Sequence, residues 1–150
     1  VKRLNLPAYD FDIGSDDDGN TVIYDEIRRK YIRLTPEEWV RQHLVRYLIH
    51  DRGFPAAYTV VESGFQYAGT PVRADIIMHN RTGQPIMLVE CKAPEISIKE
   101  VVFEQLSRYN TVIDARYLLA SNGRVHYCCE HEASGGYAFL PEVPVFEKED

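Results

Sequence analysis

No stretch of this sequence approaches the roughly 18 consecutive apolar residues that a membrane span needs, so no membrane partner is expected. The start, Val1-Lys2-Arg3-Leu4-Asn5, has neither the apolar core nor the small-residue cleavage site of a signal peptide. Cysteine is scarce: three residues, two of them adjacent at Cys128 and Cys129. An odd count of this kind implies no disulfide framework, and a reducing cytoplasm is the expected location. Positive charge is in deficit, with a net charge of −6. That argues against coating nucleic acid by bulk charge. It leaves room for a site where a bound cation supplies the local positive charge. No glycine-rich phosphate loop occurs, which removes support for ATP use.

What is present is the composition of one globular domain spanning residues 1–150, with 45% hydrophobic and 27% charged residues. Residues 1–20 read as an extended arm. Its run Asp16-Asp17-Asp18-Gly19-Asn20 fails as a calcium loop, because Gly14 and Asp25 stand at the first and twelfth ligand positions. Thr21 to Tyr24 and Ile27 to Leu34 read as a hairpin-like pair of short strands. A helix is predicted from Thr35, with threonine as N-cap, Pro36 at the first helical position and Glu38 placed for a capping box. Val40, Leu44, Tyr47 and Leu48 recur at helical spacing, and Gly53-Phe54-Pro55 ends the run.

Strands are expected over Tyr58 to Glu62, Phe65 to Tyr67, Val72 to His79 and Pro85 to Lys92, the last two joined by a polar turn at Asn80 to Gly83. A second helix over about Ile98 to Ile113 carries Ile98, Val101, Val102, Leu106, Val112 and Ile113 as its apolar positions. Arg116 to Ala120 and Val125 to Cys129 supply two more strands around Ser121-Asn122-Gly123. The prolines and acidic residues of 142–150 read as a flexible tail. Interspersed strands and helices make the expected fold class α/β (α+β).

The chemistry concentrates in two segments, Arg73-Ala74-Asp75-Ile76-Ile77 and Val89-Glu90-Cys91-Lys92-Ala93-Pro94. Glu90 and Lys92 are two apart on one strand and share a face, and a hairpin would set Asp75 beside them. Buried carboxylates and ammonium groups are costly unless paired or bound to a metal. A salt bridge between neighbouring strands accounts for the three residues. So does a phosphodiesterase centre, in which Asp75, Glu90 and the Cys91 carbonyl hold Mg²⁺ (or Mn²⁺). There Lys92 would orient the attacking water and balance transition-state charge. Arg73 is placed to touch phosphate or to pair with Glu62 or Glu90.

Asp75 followed by Glu90-Cys91-Lys92 resembles the D…(D/E)xK signature of PD-(D/E)xK nucleases. Gln105-Leu106-Ser107-Arg108-Tyr109 resembles the QxxxY motif of their exonuclease-like branches, with Gln105 and Tyr109 one helical turn apart. The wider pattern, from Leu34-Thr35-Pro36-Glu37-Glu38-Trp39-Val40-Arg41-Gln42 through Ser121-Asn122-Gly123, is similar to the N-terminal nuclease domain of type I restriction enzyme R subunits. That resemblance implies a restriction-endonuclease-like core, a central mixed sheet flanked by helices, and metal-dependent cleavage of DNA. Asp75, Glu90 and Lys92 would be catalytic, and Gln105, Tyr109 and Arg73 would bind substrate. It also implies a homodimer or a larger restriction or defence complex, and a glutamate from the first helix region: Glu37, Glu38 or Glu62. The alternative is an inactive nuclease-fold module that binds nucleic acid or a partner protein.

Other conspicuous residues take plainer readings. His126, Cys128, Cys129 and His131 lack zinc-site spacing. Trp39 reads as a packing residue rather than a base-stacking platform. The early positive cluster Arg28, Arg29, Lys30, Arg33, Arg41 and Arg46 reads as a solvated face.

Overall fold

β-Branched and aromatic runs separated by polar turns build two sheets in the structure, a computed structural model that describes residues 3–67 and 69–147. The smaller sheet comprises β1 (Ile13–Ser15), β2 (Thr21–Asp25) and β3 (Lys30–Arg33), all antiparallel. The arm expected to be irregular therefore contributes a strand. Asp16 closes the intervening turn by accepting from the amides of Asp18 and Asn20.

The larger sheet runs in the order β4 (Thr59–Tyr67), β5 (Thr70–His79), β6 (Pro85–Cys91), β7 (Tyr117–Ser121), β8 (His126–His131) and β9 (Tyr137–Leu140). The β6–β7 pair is parallel and the other pairs are antiparallel. The fold class is therefore mixed α/β, as expected. Parallel pairing demands a crossover, which α2 (Glu100–Ile113) supplies across one face. The other face is covered by α1 (Pro36–Arg46), which continues into a wider turn over Tyr47–Asp51. With helices on both faces, β6 is buried continuously from Ile86 to Val89.

The two layers have separate cores. Val40, Leu44 and Leu48 pack with Ile76, Met78, Met87, Val89, Cys91 and Leu119 on the α1 side. Val102, Leu106 and Ile113 pack with Ile77, Leu88, Leu118 and Cys129 on the α2 side. Cys128 and Cys129 therefore face opposite layers and cannot grip one ion.

Several expectations need correction. Val101, one of the apolar positions read on the second helix, is 60% exposed. The two segments 58–62 and 65–67 form one strand. The tail expected to be flexible is anchored through its described part. Val143 is buried, Phe146 packs on Phe54, and the Phe146 amide donates to the Arg52 carbonyl. A short sequence rich in proline and acid hid two apolar anchors. Gly123 has a φ of +83°, and a Cβ there would meet Leu4 at 2.8 Å. Only glycine lets the arm close over the β7–β8 turn, where Asn5 donates to the Gly123 carbonyl.

Candidate active site

Alternation along β6 sends Val89 and Cys91 into the α1 layer and Leu88 into the α2 layer, so Glu90 follows Leu88. On β5 the rule slips. Ala74 and Ile77, three residues apart, both lie in the α2 layer. Asp75 sits at that slip, and its carboxylate is gripped from two directions. Oδ2 accepts from the Cys91 amide at 2.7 Å, and Oδ1 accepts from Arg41 Nη2 at 2.9 Å.

The β5–β6 pairing, with Ile76 opposite Val89, makes Glu90 the cross-strand neighbour of Asp75. Burial and then the Asp75 charge push the Glu90 carboxyl up to about 7, while Lys92 pulls in the opposite direction. Lys92 Nζ lies 3.6 Å from Glu90 Oε1, and its side chain is 35% exposed. The structure thus brings Asp75, Glu90 and Lys92 together at the end of β6, with the ammonium open to solvent. Among the described residues, no three His, Cys, Asp or Glu groups assemble into a metal cage. The Cys91 thiol is fully buried in the α1 layer, so only its main-chain carbonyl is a candidate ligand.

Behind Asp75 lies a network of buried charges that the sequence did not reveal. Arg41 is 4% exposed and donates to Glu38 (2.6 Å), Glu37 (2.8 Å) and Asp75. Burial alone would lower its pKa, but the Asp75 bond and the Glu38 charge outweigh that and raise it. Arg28 Nε donates to Asp25 at 2.6 Å, and its Nη2 donates to Glu38 at 2.9 Å. Gln42 bridges Asp25 and Glu38. Burial raises the Asp25 pKa, yet the amide and guanidinium of Arg28 hold it below the usual value.

This overturns the solvated-face reading for Arg28 and Arg41, while Arg29, Lys30 and Arg33 are exposed as expected. Arg46 is half-buried, sitting over the Phe11 ring and pairing with Glu26 at 3.1 Å. The capping-box role of Glu38 also fails. Thr35 caps the helix by accepting from the Glu38 amide, but the Glu38 side chain turns inward to Arg28, Arg41 and Gln42. Only the spacing of Glu38 and Arg41, three apart on one helix, hinted at this.

The remaining candidates lie further out. Gln105 donates to the Tyr109 hydroxyl at 3.2 Å along α2. Arg73 is exposed, two residues before Asp75. The Glu62 side chain falls outside the described residues. Ser121, opposite Cys91 on β7, accepts the Lys92 amide through its carbonyl. Asn122 holds the segment after Lys92 by donating to the Ile96 carbonyl at 2.8 Å. His126 is bonded between Ser121 Oγ and the Asn5 carbonyl, which gives it a structural role.

A family model described as Type I restriction enzyme R protein N terminus (HSDR_N) matches residues 36–144, which contain most of this site. The chain belongs to that family. A solved fragment, described as an HsdR subunit of a type I restriction enzyme from Vibrio vulnificus YJ016, superimposes with a TM-score of 0.54 at 20% identity. The match covers 75% of this chain and 24% of that one, so the chain spans about a quarter of the fragment's length. At this identity the likeness speaks for the fold, and it supports the restriction-endonuclease-like architecture expected from the motifs. No curated protein matches the chain. Among the described residues, no helix of this R-protein N-terminal domain is long and apolar enough to cross a membrane.

Proposed function

We propose that this R-protein N-terminal domain is a metal-dependent nuclease that hydrolyses phosphodiester bonds in DNA, acting within a larger restriction complex. The observation that carries this reading is the contact of two carboxylates, Asp75 and Glu90, with the Lys92 ammonium beside them and open to solvent. A buried carboxyl whose proton affinity is raised by a neighbouring carboxylate, as Glu90's is by Asp75, marks a site short of positive charge. Hard oxygen donors in that state suit Mg²⁺ or Mn²⁺, for which one or two carboxylates suffice when water and phosphate complete the shell.

Asp75, Glu90 and the Cys91 carbonyl would hold the ion. When bound, it supplies polarisation of a phosphoryl oxygen and a more acidic water. The chain's own residues do the rest. The Cys91 amide and Arg41 fix the Asp75 carboxylate, and the backbone bond from Lys92 to Ser121 fixes the end of β6. Lys92 orients the attacking water and balances charge as the transition state forms. Of the upstream glutamates, Glu38 is consumed by its buried partners. Glu37 shares Arg41 Nη2 with Asp75 and is 47% exposed, which makes it the glutamate available to the site.

A second reading draws on the saturation of Asp75 by Arg41 and Cys91. On that view the three residues are a structural ion network within an inactive module that binds nucleic acid or protein. Plasmid nicking in Mg²⁺ or Mn²⁺ separates the two. Lys92→Ala is expected to lower nicking by at least about a hundredfold, roughly 2.7 kcal/mol of barrier, with an unchanged melting temperature. Glu90→Gln is expected to weaken Mn²⁺ binding measured by calorimetry. Full cleavage by Lys92→Ala would refute the assignment of catalysis to this site.

A further inference from the structure

A cavity of about 470 Å³ is lined by Thr21, Leu34, Thr35, Pro36, Trp39, Pro94 and Glu95, chiefly from the start of α1 and the segment after β6. We propose that it receives an unpaired base of the DNA strand held at Asp75, Glu90 and Lys92, with Trp39 as its aromatic wall. The proposal rests on the nuclease reading and narrows the substrate to single-stranded or locally unpaired DNA.

Position is the first argument. Pro94 follows Lys92 by two residues, so their backbones are at most roughly 7 Å apart. On the other side, Pro36 precedes Glu37, which grips the same Arg41 nitrogen as Asp75. Two of the segments that line the cavity, 34–39 and 94–95, thus lead directly into residues of the site. A nucleotide whose phosphate occupies that site has its neighbouring base within reach of the opening.

Chemistry is the second argument. Leu34, Pro36, Trp39 and Pro94 make the walls chiefly apolar, with Thr21, Thr35 and Glu95 as polar members. The volume falls within the roughly 300–1,000 Å³ usual for ligand sites. Trp39 is half-buried, held edge-on to His43 at 4.3 Å between ring centroids and tilted against Phe11 at 5.3 Å. A ring braced in this way presents a fixed surface for stacking, which every base can use.

Charge is the third. A chain of net charge −6 draws little affinity from phosphates alone. Stacking is the sequence-tolerant source that remains. A base inside a duplex is already stacked and paired, so entry requires an unpaired one.

Trp39 is the sole tryptophan of the chain, so the tryptophan emission comes from the ring that walls this cavity. The test uses the full chain carrying Lys92→Ala, in Mg²⁺, titrated with a fluorescein-labelled single-stranded oligonucleotide. A second titration uses an abasic oligonucleotide with the same number of phosphates. The base-bearing strand is expected to quench Trp39 and to bind about tenfold more tightly by anisotropy. Equal affinity for the two strands, or binding without quenching, overturns the proposal. Nicking by the wild type with no quenching in Lys92→Ala sinks the base pocket and leaves the nuclease reading intact. Quenching without any wild-type nicking sinks the nuclease reading and supports base binding.

Discussion

The two faces of the six-stranded sheet solve burial in different ways. The α2 face is closed by side chains such as Leu106, Leu88 and Leu118, which need only apolar area. The α1 face buries Asp25, Glu38, Arg41 and Gln42 beside an equally apolar core. A hydrophobic layer tolerates approximate neighbours, since its stabilisation is non-directional. A charged layer is stable only if each group meets its partner, because unpaired charges in low dielectric are expensive. The α1 face therefore ties β2, the turn after it, α1 and β5 into one bonded unit, and Asp75 is its last member.

The largest effect should come from cutting that unit. Arg41→Met strips the partner from Glu38 and Asp75, and a loss of roughly 3–5 kcal/mol is expected in urea unfolding. A loss below about 1 kcal/mol would erase the contrast between the faces. Next comes the apolar side, where Leu106→Ala should cost about 3 kcal/mol by leaving a cavity. Its nicking activity, scored below the melting transition, should match wild type. Loss of nicking there would mean the α2 layer also positions the site.

The smallest effect concerns pH. Burial lowers the His43 pKa below its usual 6.5, the bond to the Trp39 carbonyl opposes this, and the Arg46 charge adds to the depression. The unfolded chain therefore binds a proton that the folded chain refuses. Stability from this group is intact above about pH 6.5 and falls as the pH drops through the interval down to the folded value. His43→Asn keeps a donor for Trp39 and should show a shallower decline between pH 7 and 5.5. An identical slope in both proteins would assign the acid sensitivity to other groups.

Much of the secondary structure was legible residue by residue. Thr35-Pro36 marked the start of α1, and the turn at Asn80 to Gly83 marked the β5–β6 hairpin. The Glu90–Lys92 spacing placed two site residues on one face. Strand β9 and the anchors Val143 and Phe146 were missed because their patterns are short and interrupted by proline. Val101 was misplaced because helical spacing alone does not say which edge of an apolar stripe is covered. Arg28 and Arg41 were misread for a deeper reason. A basic side chain in sequence looks the same whether its partner is water or a buried carboxylate 34 residues away.

Local order, the motif spacing and the family were written in the chain itself, since caps, turns and alternation depend on near neighbours. The grip of Arg41 on Asp75, the seizure of Glu38 by Arg28 and Arg41, and the cavity at Trp39 were decided only by tertiary structure. Charge pairing and cavities depend on distances between segments far apart in sequence, and no local pattern encodes those distances.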